Sequence, residues 1–343
     1  MKYLWYHLVK LYISIGLSFF HKKITVIGKE NIPKKKAVIF ISNHPNSLID
    51  PLLIATNNGR NTHYLAMAGV FKNATIKKIL ESFHMIPIYR IRDGFSSLSE
   101  NNKVFERCYS ILNKKDCVLI FVEGSHNMQR RVRTFQKGFA RIAFGTMDLN
   151  KDLEIDIVPV GLNYTNPERY AGEVSIYFGK PFSVSPFWEM ENRTKAIQEI
   201  KKVASKKLKV LTTHIDDLDN YETIVNCFDK KEFLFPEKVN KKLETLDLTK
   251  PLKRNAKKKV GFNPLLLLVK INSFFPLLVW HKIEPKIKQK EFLSTFKFAV
   301  GITLFPLFYF FQKIIVAYFF GATIGSIYLI CSFLSVFILS KTR

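Results

Sequence analysis

Short apolar runs alternate with longer amphipathic stretches along the first two thirds of the chain. Runs rich in Ile, Val and Phe predict strands at 24–27, 37–42, 63–67, 85–89, 118–122, 155–160 and 174–178. Stretches with helical spacing fall at 51–57, 73–82, 95–112, 138–146 and 192–211. Because strands and helices alternate, we predict an α/β domain over residues 23–215, with a mixed, mainly parallel sheet covered by helices.

The last third of the chain carries much longer apolar segments. Residues 314–340 contain no charge, and residues 292–312 contain only Lys297. Each is long enough, or nearly so, to cross a hydrocarbon core of about 30 Å. We therefore predict a transmembrane hairpin of 292–312 and 314–340 that turns near Lys313. The alternative is one spanning helix preceded by an interfacial helix.

Two further segments have the pattern of membrane-surface contacts. Residues 262–280 are apolar but interrupted by Lys270, Pro264 and Pro276, which favours an interfacial or re-entrant segment over a span. At the N-terminus, the polar residues of 3–20 fall on one narrow helical stripe. The predicted organisation is an interface helix at 1–22, the α/β domain at 23–215, a basic connector at 216–260 and a membrane region at 261–343. An ordinary amphipathic helix packed on the domain is the alternative for 1–22.

The net charge of the chain limits the classes of partner that it is expected to bind. The 343 residues include 53 Lys and Arg against 28 Asp and Glu, a net charge of +25. A strongly basic chain favours nucleic acid or an anionic membrane, and the apolar tail decides for anionic lipids and against nucleic acid. Basic residues flank both ends of the predicted hairpin, so we expect an integral membrane protein whose α/β domain faces the cytoplasm. The four cysteines are scattered without metal-binding spacing, which fits a reducing compartment.

Residues that can do chemistry follow the predicted strand 37–42. His44 stands directly after it, and Asp50 follows six positions later. If the chain turns at Pro45, the Asp50 carboxylate can hold one imidazole nitrogen and leave the other as a general base. Asp50 followed by Pro51 is also typical of a helix N-cap, and the two roles can coexist.

Three other strand ends carry candidate residues. Arg90 ends the strand 85–89, as a surface residue or as a phosphate clamp. Glu123, Gly124 and Ser125 follow the strand 118–122. Four cations come soon after and could form an anion pocket, although at least one should belong to a solvated basic loop: Arg130, Arg131, Arg133 and Lys137. Pro159 lies inside the strand 155–160, which favours an edge strand or a bulge.

Taken together, these segments resemble one family. NHPNSLID at 43–50, IPIYR at 86–90, FVEGSHN at 121–127 and VPVGLNY at 158–164 occur in the order of the four motifs of the phospholipid/glycerol acyltransferase (PlsC-like) superfamily. The resemblance covers roughly residues 20–182. It implies the glycerophosphate acyltransferase fold and transfer of a fatty acyl group from acyl-CoA or acyl-carrier protein to a glycerophosphate hydroxyl.

The resemblance also implies roles for individual residues. His44 would be the general base and Asp50 the residue that orients it. Pro159 falls on the motif associated with placement of the acyl donor. The other positions implied in substrate binding are Asn43, Arg90, Glu123, Gly124, Ser125, Arg130, Arg131, Arg133 and Lys137.

Two departures from the common motifs point to a subgroup. Five residues separate His44 from Asp50, where four are usual, and Ser125-His126 replaces the usual Thr-Arg. Both features resemble the glycerol-3-phosphate and dihydroxyacetone-phosphate acyltransferase-like subgroup, so lysophosphatidate and glycerol 3-phosphate both remain open as acceptors. The alternatives are an acyltransferase for another lysolipid and a non-catalytic lipid-binding membrane protein.

Acyl transfer from a thioester sets modest chemical demands. The thioester already has a good leaving group, so the enzyme has only to deprotonate the acceptor alcohol, align it and stabilise the oxyanion that forms. No cofactor is expected. Because the motifs end near residue 181, the sequence also predicts that removal of residues 292–343 weakens membrane anchoring and leaves the chemistry intact.

Overall fold

The computed structural model describes residues 2–89, 96–247 and 262–343. Arg90 and the basic stretch 250–259 lie outside the described residues. The described strands are β1 (Lys23–Ile27), β2 (Ala37–Ser42), β3 (Thr62–Met67), β4 (Met85–Ile88), β5 (Cys117–Phe121), β6 (Ile155–Tyr164), β7 (Glu173–Phe178) and β8 (Phe182–Ser183).

The described α-helices cover the sheet and form the tail of the chain. The first seven are α1 (Lys2–Phe20), α2 (Ile49–Asn57), α3 (Ala74–Ser82), α4 (Ser96–Asn113), α5 (Gly138–Leu149), α6 (Ser185–Trp188) and α7 (Arg193–Leu211). The others are α8 (Tyr221–Asn226), α9 (Pro236–Glu244), α10 (Pro264–Asn272), α11 (Phe274–Ile283), α12 (Leu293–Phe320) and α13 (Ala322–Thr342).

The strands form one mixed sheet in the order β1-β7-β6-β2-β5-β3-β4, with β8 paired to β6. All pairs are parallel except β6 with β7 and β6 with β8. The fold class predicted from the alternation of strands and helices is therefore confirmed. Strand β2 lies inside the sheet between β5 and β6, so the loop that follows it opens at the carboxyl ends of parallel strands, where α/β proteins form their sites.

Side chains of β2 alternate between two apolar layers. Ile39 and Ile41 face the layer that contains α4, α5 and α7, whereas Phe40 faces the layer that contains α1 and α2. Phe298 of α12 is buried in this second layer, where its ring meets Phe20 of α1 edge-on. The tail of the chain therefore contributes directly to the core of the α/β domain.

Of the two alternatives for Pro159, an edge strand or a bulge, the edge strand was wrong, because β6 lies between β2 and β7. Strand β6 changes partners beside this residue: β8 pairs with it at 156–157 and β7 at 160–164. The carbonyl of Pro159 accepts a hydrogen bond from the Gly179 N–H, so its backbone polar side faces the gap between these partners. A residue without an N–H costs no ladder hydrogen bond there.

The two C-terminal helices α12 and α13 pack against each other, but they do not meet near Lys313. Helix α12 continues through Lys313 to Phe320, and the break falls at Gly321, whose φ is 90°. Glycine adopts this φ without strain, whereas Lys313 has no feature that ends a helix. Gly325 lies against Ala317 across the contact, where a side chain would collide. The hairpin prediction was thus wrong in the position of its turn.

Within the described residues, two helical stretches are long and apolar enough to cross a membrane, Lys290–Phe320 and Ala322–Thr342. A third crossing is possible by length only if α10 and α11 count as one span, and these two meet at 85°. Asn272 and Ser273, at this bend, bond to the tail helices: Asn272 Nδ2 donates to Ser332 Oγ, and the Ser273 and Tyr309 hydroxyls are 2.6 Å apart. The interfacial or re-entrant assignment of 262–280 stays a prediction.

The N-terminal helix α1 has features of both sequence interpretations, a membrane-interface helix and an amphipathic helix packed on the domain. Tyr6, Leu17 and Phe20 are buried against the domain, while Leu4, Leu8, Leu11 and Ile15 form an exposed apolar row. The described part of the connector, up to residue 247, is also ordered by packing. Helices α8 and α9 enclose a small core that includes Ile224, Phe233 and Val239.

Candidate active site

The loop between β2 and α2 brings His44 and Asp50 together. β2 ends at Ser42, and α2 begins at Ile49, so Asp50 lies in the first turn of the helix. His44 Nδ1 and Asp50 Oδ2 are 2.8 Å apart. Leu48, and not Asp50, is the N-cap residue of α2, so the capping alternative for Asp50 is not observed. The predicted contact between His44 and Asp50 is therefore present, although five residues separate them where four are usual.

Three donors surround the Asp50 carboxylate, which is completely buried. Besides His44, the Asn46 N–H donates to Oδ2 at 2.7 Å and the Tyr164 hydroxyl donates to Oδ1 at 2.6 Å. Burial raises the pKa of Asp50, and the hydrogen bonds from His44, Tyr164 and Asn46 oppose that rise. Burial and the neighbouring Asp50 charge raise the pKa of Tyr164 well above its usual value, so its hydroxyl remains a donor. A carboxylate on Nδ1 holds the proton there and leaves Nε2 as the basic nitrogen.

Tyr164 was missed as a candidate site residue, although it ends the fourth motif. The available signal was a hydroxyl-bearing residue at the end of the fourth motif, four positions after the predicted strand 155–160. The structure extends this strand to Tyr164 and buries it at every position. Such a hydroxyl needs a partner, because an unpaired polar group in the core is costly. The sequence does not say which of the buried polar groups that partner is.

The His44 ring is fixed by an aromatic neighbour. It stacks on Phe121 with ring centroids 3.7 Å apart and an interplanar angle of 12°. The His126 ring stands nearly perpendicular to His44, at 5.8 Å, and also meets Phe292 at 5.0 Å. The side chain of His44 remains 15% exposed, which leaves it accessible to a substrate.

The third motif contains the buried acid of an ion pair beside this loop, and the basic partner, Arg133, is half-buried. Arg133 Nε donates to Glu123 Oε2 at 2.7 Å, and Arg133 Nη1 donates to Ser125 Oγ at 2.9 Å. Gly124 makes the turn between these acceptors with a φ of 73°. The Asn127 N–H then donates to the His44 carbonyl at 2.9 Å, which joins the third motif to the first. Of the four predicted cations, Arg133 is therefore the one that pairs with the acid of the third motif.

The remaining predicted cations are not gathered with Arg133. Arg130 is half-buried, donates to the Tyr164 carbonyl at 2.9 Å and lies 3.7 Å from the centre of the Phe233 ring. Burial lowers the pKa of Arg130 to about 10. Its contacts link the site to the small core of α8 and α9. Arg131 lies 3.9 Å from the exposed Asp216, and Lys137 is exposed at the start of α5.

Asn43 and Pro159 are held within the sheet. The Asn43 amide exchanges two hydrogen bonds with the Leu162 backbone, at 2.8 and 2.9 Å. This contact fixes the start of the His44 loop to β6. Pro159 is buried at the register position of Ile41. Their predicted roles in substrate binding stay predictions, as does that of Arg90.

The tail of the chain contacts the same loop. The Leu48 N–H donates to Thr295 Oγ1 at 3.1 Å. Asn46 Nδ2 and Ser294 Oγ both donate to the Pro167 carbonyl, at 2.8 and 2.5 Å. The sequence analysis expected the chemistry to survive removal of residues 292–343, because the motifs end near residue 181. Since α12 bonds to the loop that carries His44, that argument no longer holds. The division of the chain into domains stays a prediction.

Comparison with known proteins defines the class. Residues 23–163 match the family model described as Acyltransferase. This part of the chain is therefore an acyltransferase domain of the PlsC-like type, as the four motifs indicated.

Particular relatives act on two acceptors, according to their names. The chain is 27% identical over 136 residues to glycerol-3-phosphate O-acyltransferase 1 of Saccharomyces cerevisiae, which covers 38% of this chain and 18% of the relative. It is 27% identical over 170 residues to a chloroplastic 1-acyl-sn-glycerol-3-phosphate acyltransferase of Arabidopsis thaliana, covering 49% and 44%. The chain thus spans less than half the length of these relatives.

A solved structure is also similar to this chain. The crystal structure of the 1-acyl-sn-glycerophosphate acyltransferase PlsC from Thermotoga maritima is 19% identical, covers 61% of this chain and 81% of its own, and gives a TM-score of 0.43.

Proposed function

We propose that this protein is an integral membrane acyltransferase that moves a fatty acyl group from acyl-CoA or acyl-carrier protein to a glycerophosphate hydroxyl. The observation that carries the proposal is the buried Asp50 carboxylate, which holds His44 Nδ1 inside an acyltransferase domain. Relatives named for glycerol 3-phosphate and for its 1-acyl ester support a glycerophosphate acceptor. Glycerol 3-phosphate and its 1-acyl ester are both intermediates of phospholipid synthesis.

The proposed reaction needs one proton transfer at His44. Nε2 takes the proton of the acceptor hydroxyl, whose oxygen attacks the thioester carbonyl carbon. The tetrahedral oxyanion collapses, the carbon–sulfur bond breaks, and the departing sulfur receives the proton from the imidazolium. The products are an oxygen ester and a free thiol. Asp50 stabilises the transient imidazolium, and Tyr164 and Asn46 keep Asp50 ionised and in place.

The guanidinium of Arg133, which pairs with Glu123 of the third motif, suits a phosphorylated acceptor. Arg133 is 28% exposed, so a phosphate at the site mouth can share its guanidinium with Glu123 and Ser125. Arg90 stays a candidate for the same ligand. The basic flanks of the tail favour a cytoplasmic location for the acyltransferase domain.

The test is acyl transfer by the purified full chain. Acyl-CoA is supplied with lysophosphatidate, glycerol 3-phosphate and a neutral lysolipid, and the products are identified by mass spectrometry. We expect a phosphorylated ester product and a fall in kcat of about 10²–10⁴ for His44→Ala. His281→Ala, which changes an exposed histidine, serves as the matched control. Thiol release at the wild-type rate by a folded His44→Ala protein would exclude His44 as the base.

A further inference from the structure

Helix α2, which carries Asp50, begins without a capping side chain of its own. Its N-cap residue is Leu48, whose side chain makes no capping hydrogen bond. The first N–H groups of a helix have no partner inside it and need acceptors from elsewhere. The Asp50 N–H donates to the Asn46 carbonyl at 3.1 Å, and the Leu48 N–H donates to Thr295 Oγ1 of α12 at 3.1 Å. A side chain of the tail therefore holds the start of the helix that carries Asp50.

The same turn of α12 holds the active-site loop at a second point. Ser294 is buried, and its hydroxyl donates to the Pro167 carbonyl at 2.5 Å. Asn46 Nδ2 donates to that same carbonyl at 2.8 Å, while the Asn46 N–H donates to Asp50 Oδ2 at 2.7 Å. The shared carbonyl thus links α12 to the residue whose backbone bonds to the Asp50 carboxylate.

A third contact reaches the imidazole of the pair. Phe292, the N-cap residue of α12, meets the His126 ring edge-on at 5.0 Å, and the His126 ring stands 5.8 Å from that of His44. Residues 292–295, which we call the α12 start, therefore reach both members of the pair. They reach Asp50 through hydrogen bonds to its loop and His44 through an aromatic neighbour.

We propose that the α12 start positions the His44–Asp50 pair for acyl transfer, with Thr295 as the positioning residue that fixes the beginning of α2. The inference rests on the proposed function and adds that a membrane-region helix is part of the active site as well as an anchor. Thr295 acts through Leu48 and α2, which set the orientation of Asp50 and hence of the imidazole. A misplacement of about 1 Å at a catalytic group costs roughly 10²-fold in rate.

The positioning contact can be removed without undocking the helix. Phe298, one turn after Thr295, is buried in the domain core, where its ring meets Phe20 edge-on. This apolar packing does not involve the Thr295 hydroxyl. Thr295→Val keeps the branched shape of the side chain and removes only the acceptor, so the Leu48 N–H loses its partner while α12 stays in place.

The kinetic test uses the purified full chain in detergent micelles, with acyl-CoA and with glycerol 3-phosphate or lysophosphatidate as acceptor. Thr295→Val should lower kcat roughly tenfold or more and change the KM for acyl-CoA by less than about twofold. Thr295→Ser, which keeps the hydroxyl, should stay within about twofold of the wild-type kcat. Thr303→Val is the matched control, because the exposed Thr303 hydroxyl donates only within α12, to the Ala299 carbonyl at 2.6 Å.

Hydrogen exchange gives a readout that does not depend on turnover. The Leu48 amide is bonded to Thr295, so its exchange should be faster in Thr295→Val than in the wild-type chain. Thr295→Ser and Thr303→Val should leave the exchange of the 46–50 segment unchanged. Thermal unfolding of each variant checks that the chain is folded.

The outcomes separate the inference from the proposed function. A folded Thr295→Val protein with the wild-type kcat would overturn the inference and leave the proposed function standing, whatever its exchange rates. An equal loss of kcat in Thr295→Ser or in Thr303→Val would also overturn it, because the hydroxyl at position 295 would not be the cause. A wild-type chain that transfers no acyl group to either acceptor would reject the proposed function, and the inference with it.

Discussion

Removal of one hydroxyl, in Tyr164→Phe, tests how the candidate catalytic pair is held. The Tyr164 hydroxyl donates to Asp50 Oδ1 at 2.6 Å, and both groups are buried. A hydrogen bond to a charged group contributes about 1.5–3 kcal/mol, and its loss leaves Asp50 with two donors. If this difference falls on the transition state, in which Asp50 faces an imidazolium, kcat decreases by roughly 10–100-fold.

The same change should alter the pH dependence. Burial already raises the pKa of Asp50, and Tyr164 is one of the groups that oppose the rise. Without the hydroxyl the pKa of Asp50 rises further, so the carboxylate is lost at a higher pH and the acid limb of the kcat profile moves upward. A change that only loosened the fold would lower kcat without this displacement.

The assay is thiol release from acyl-CoA across a pH series, with the folded state checked by thermal unfolding. Tyr177→Phe is the matched control, because it also removes a tyrosine hydroxyl, but one that donates to the Leu234 backbone carbonyl, at 3.0 Å, and not to a carboxylate. A Tyr164→Phe protein with the wild-type kcat and an unmoved acid limb would refute the positioning role of Tyr164.

Three further predictions concern the ion pair, acid stability and membrane topology. Arg133→Gln leaves the buried Glu123 unpaired and should lower the free energy of unfolding by about 3 kcal/mol, whereas Arg131→Gln, at an exposed pair, should change it by less than about 1 kcal/mol; equal denaturant midpoints would contradict this. Burial lowers the pKa of His21 to about 4 and that of His63 to about 3, so both are neutral in the native state. Their contribution to the free energy of unfolding is complete above pH of about 6.5 and is lost as the pH falls towards about 4 for His21 and about 3 for His63, so the midpoint of unfolding should decrease over this range and less so in His21→Gln. Alkaline carbonate should leave the full chain in the membrane, and a tag after Arg343 should report the same side as a tag inserted at 286–290; tags on opposite sides would mean an odd number of crossings.

Local patterns carried most of the information on the acyltransferase domain. The strand that precedes His44 was predicted at 37–42, where β2 lies, and the helix 192–211 differs from α7 by one residue. Such elements are readable because apolar spacing reports directly which side of each element is buried. The His44–Asp50 contact was also foreseeable, because both residues belong to one short loop and its following helix turn.

Contacts between residues distant in the sequence could not be predicted in the same way. Four cations follow Glu123, and only the folded loop selects Arg133 as its partner and sends Arg130 to the Phe233 ring. Pro159 looked like an edge residue because the sequence does not reveal that β6 exchanges β8 for β7 beside it. In the tail, composition located two long apolar helices, and the choice of Gly321 over Lys313 for the break required the backbone itself.

The sequence by itself determined the class of fold, the apolar tail and the pair His44 and Asp50, because these depend on spacing and composition within short stretches. The tertiary structure decided what completes the site. Tyr164 reaches Asp50 across 114 positions, and Thr295 reaches the Leu48 backbone across 247. Long-range partners are selected by packing of the sheet and helices as a whole, which fixes each buried polar group against whichever donor or acceptor the fold brings to it.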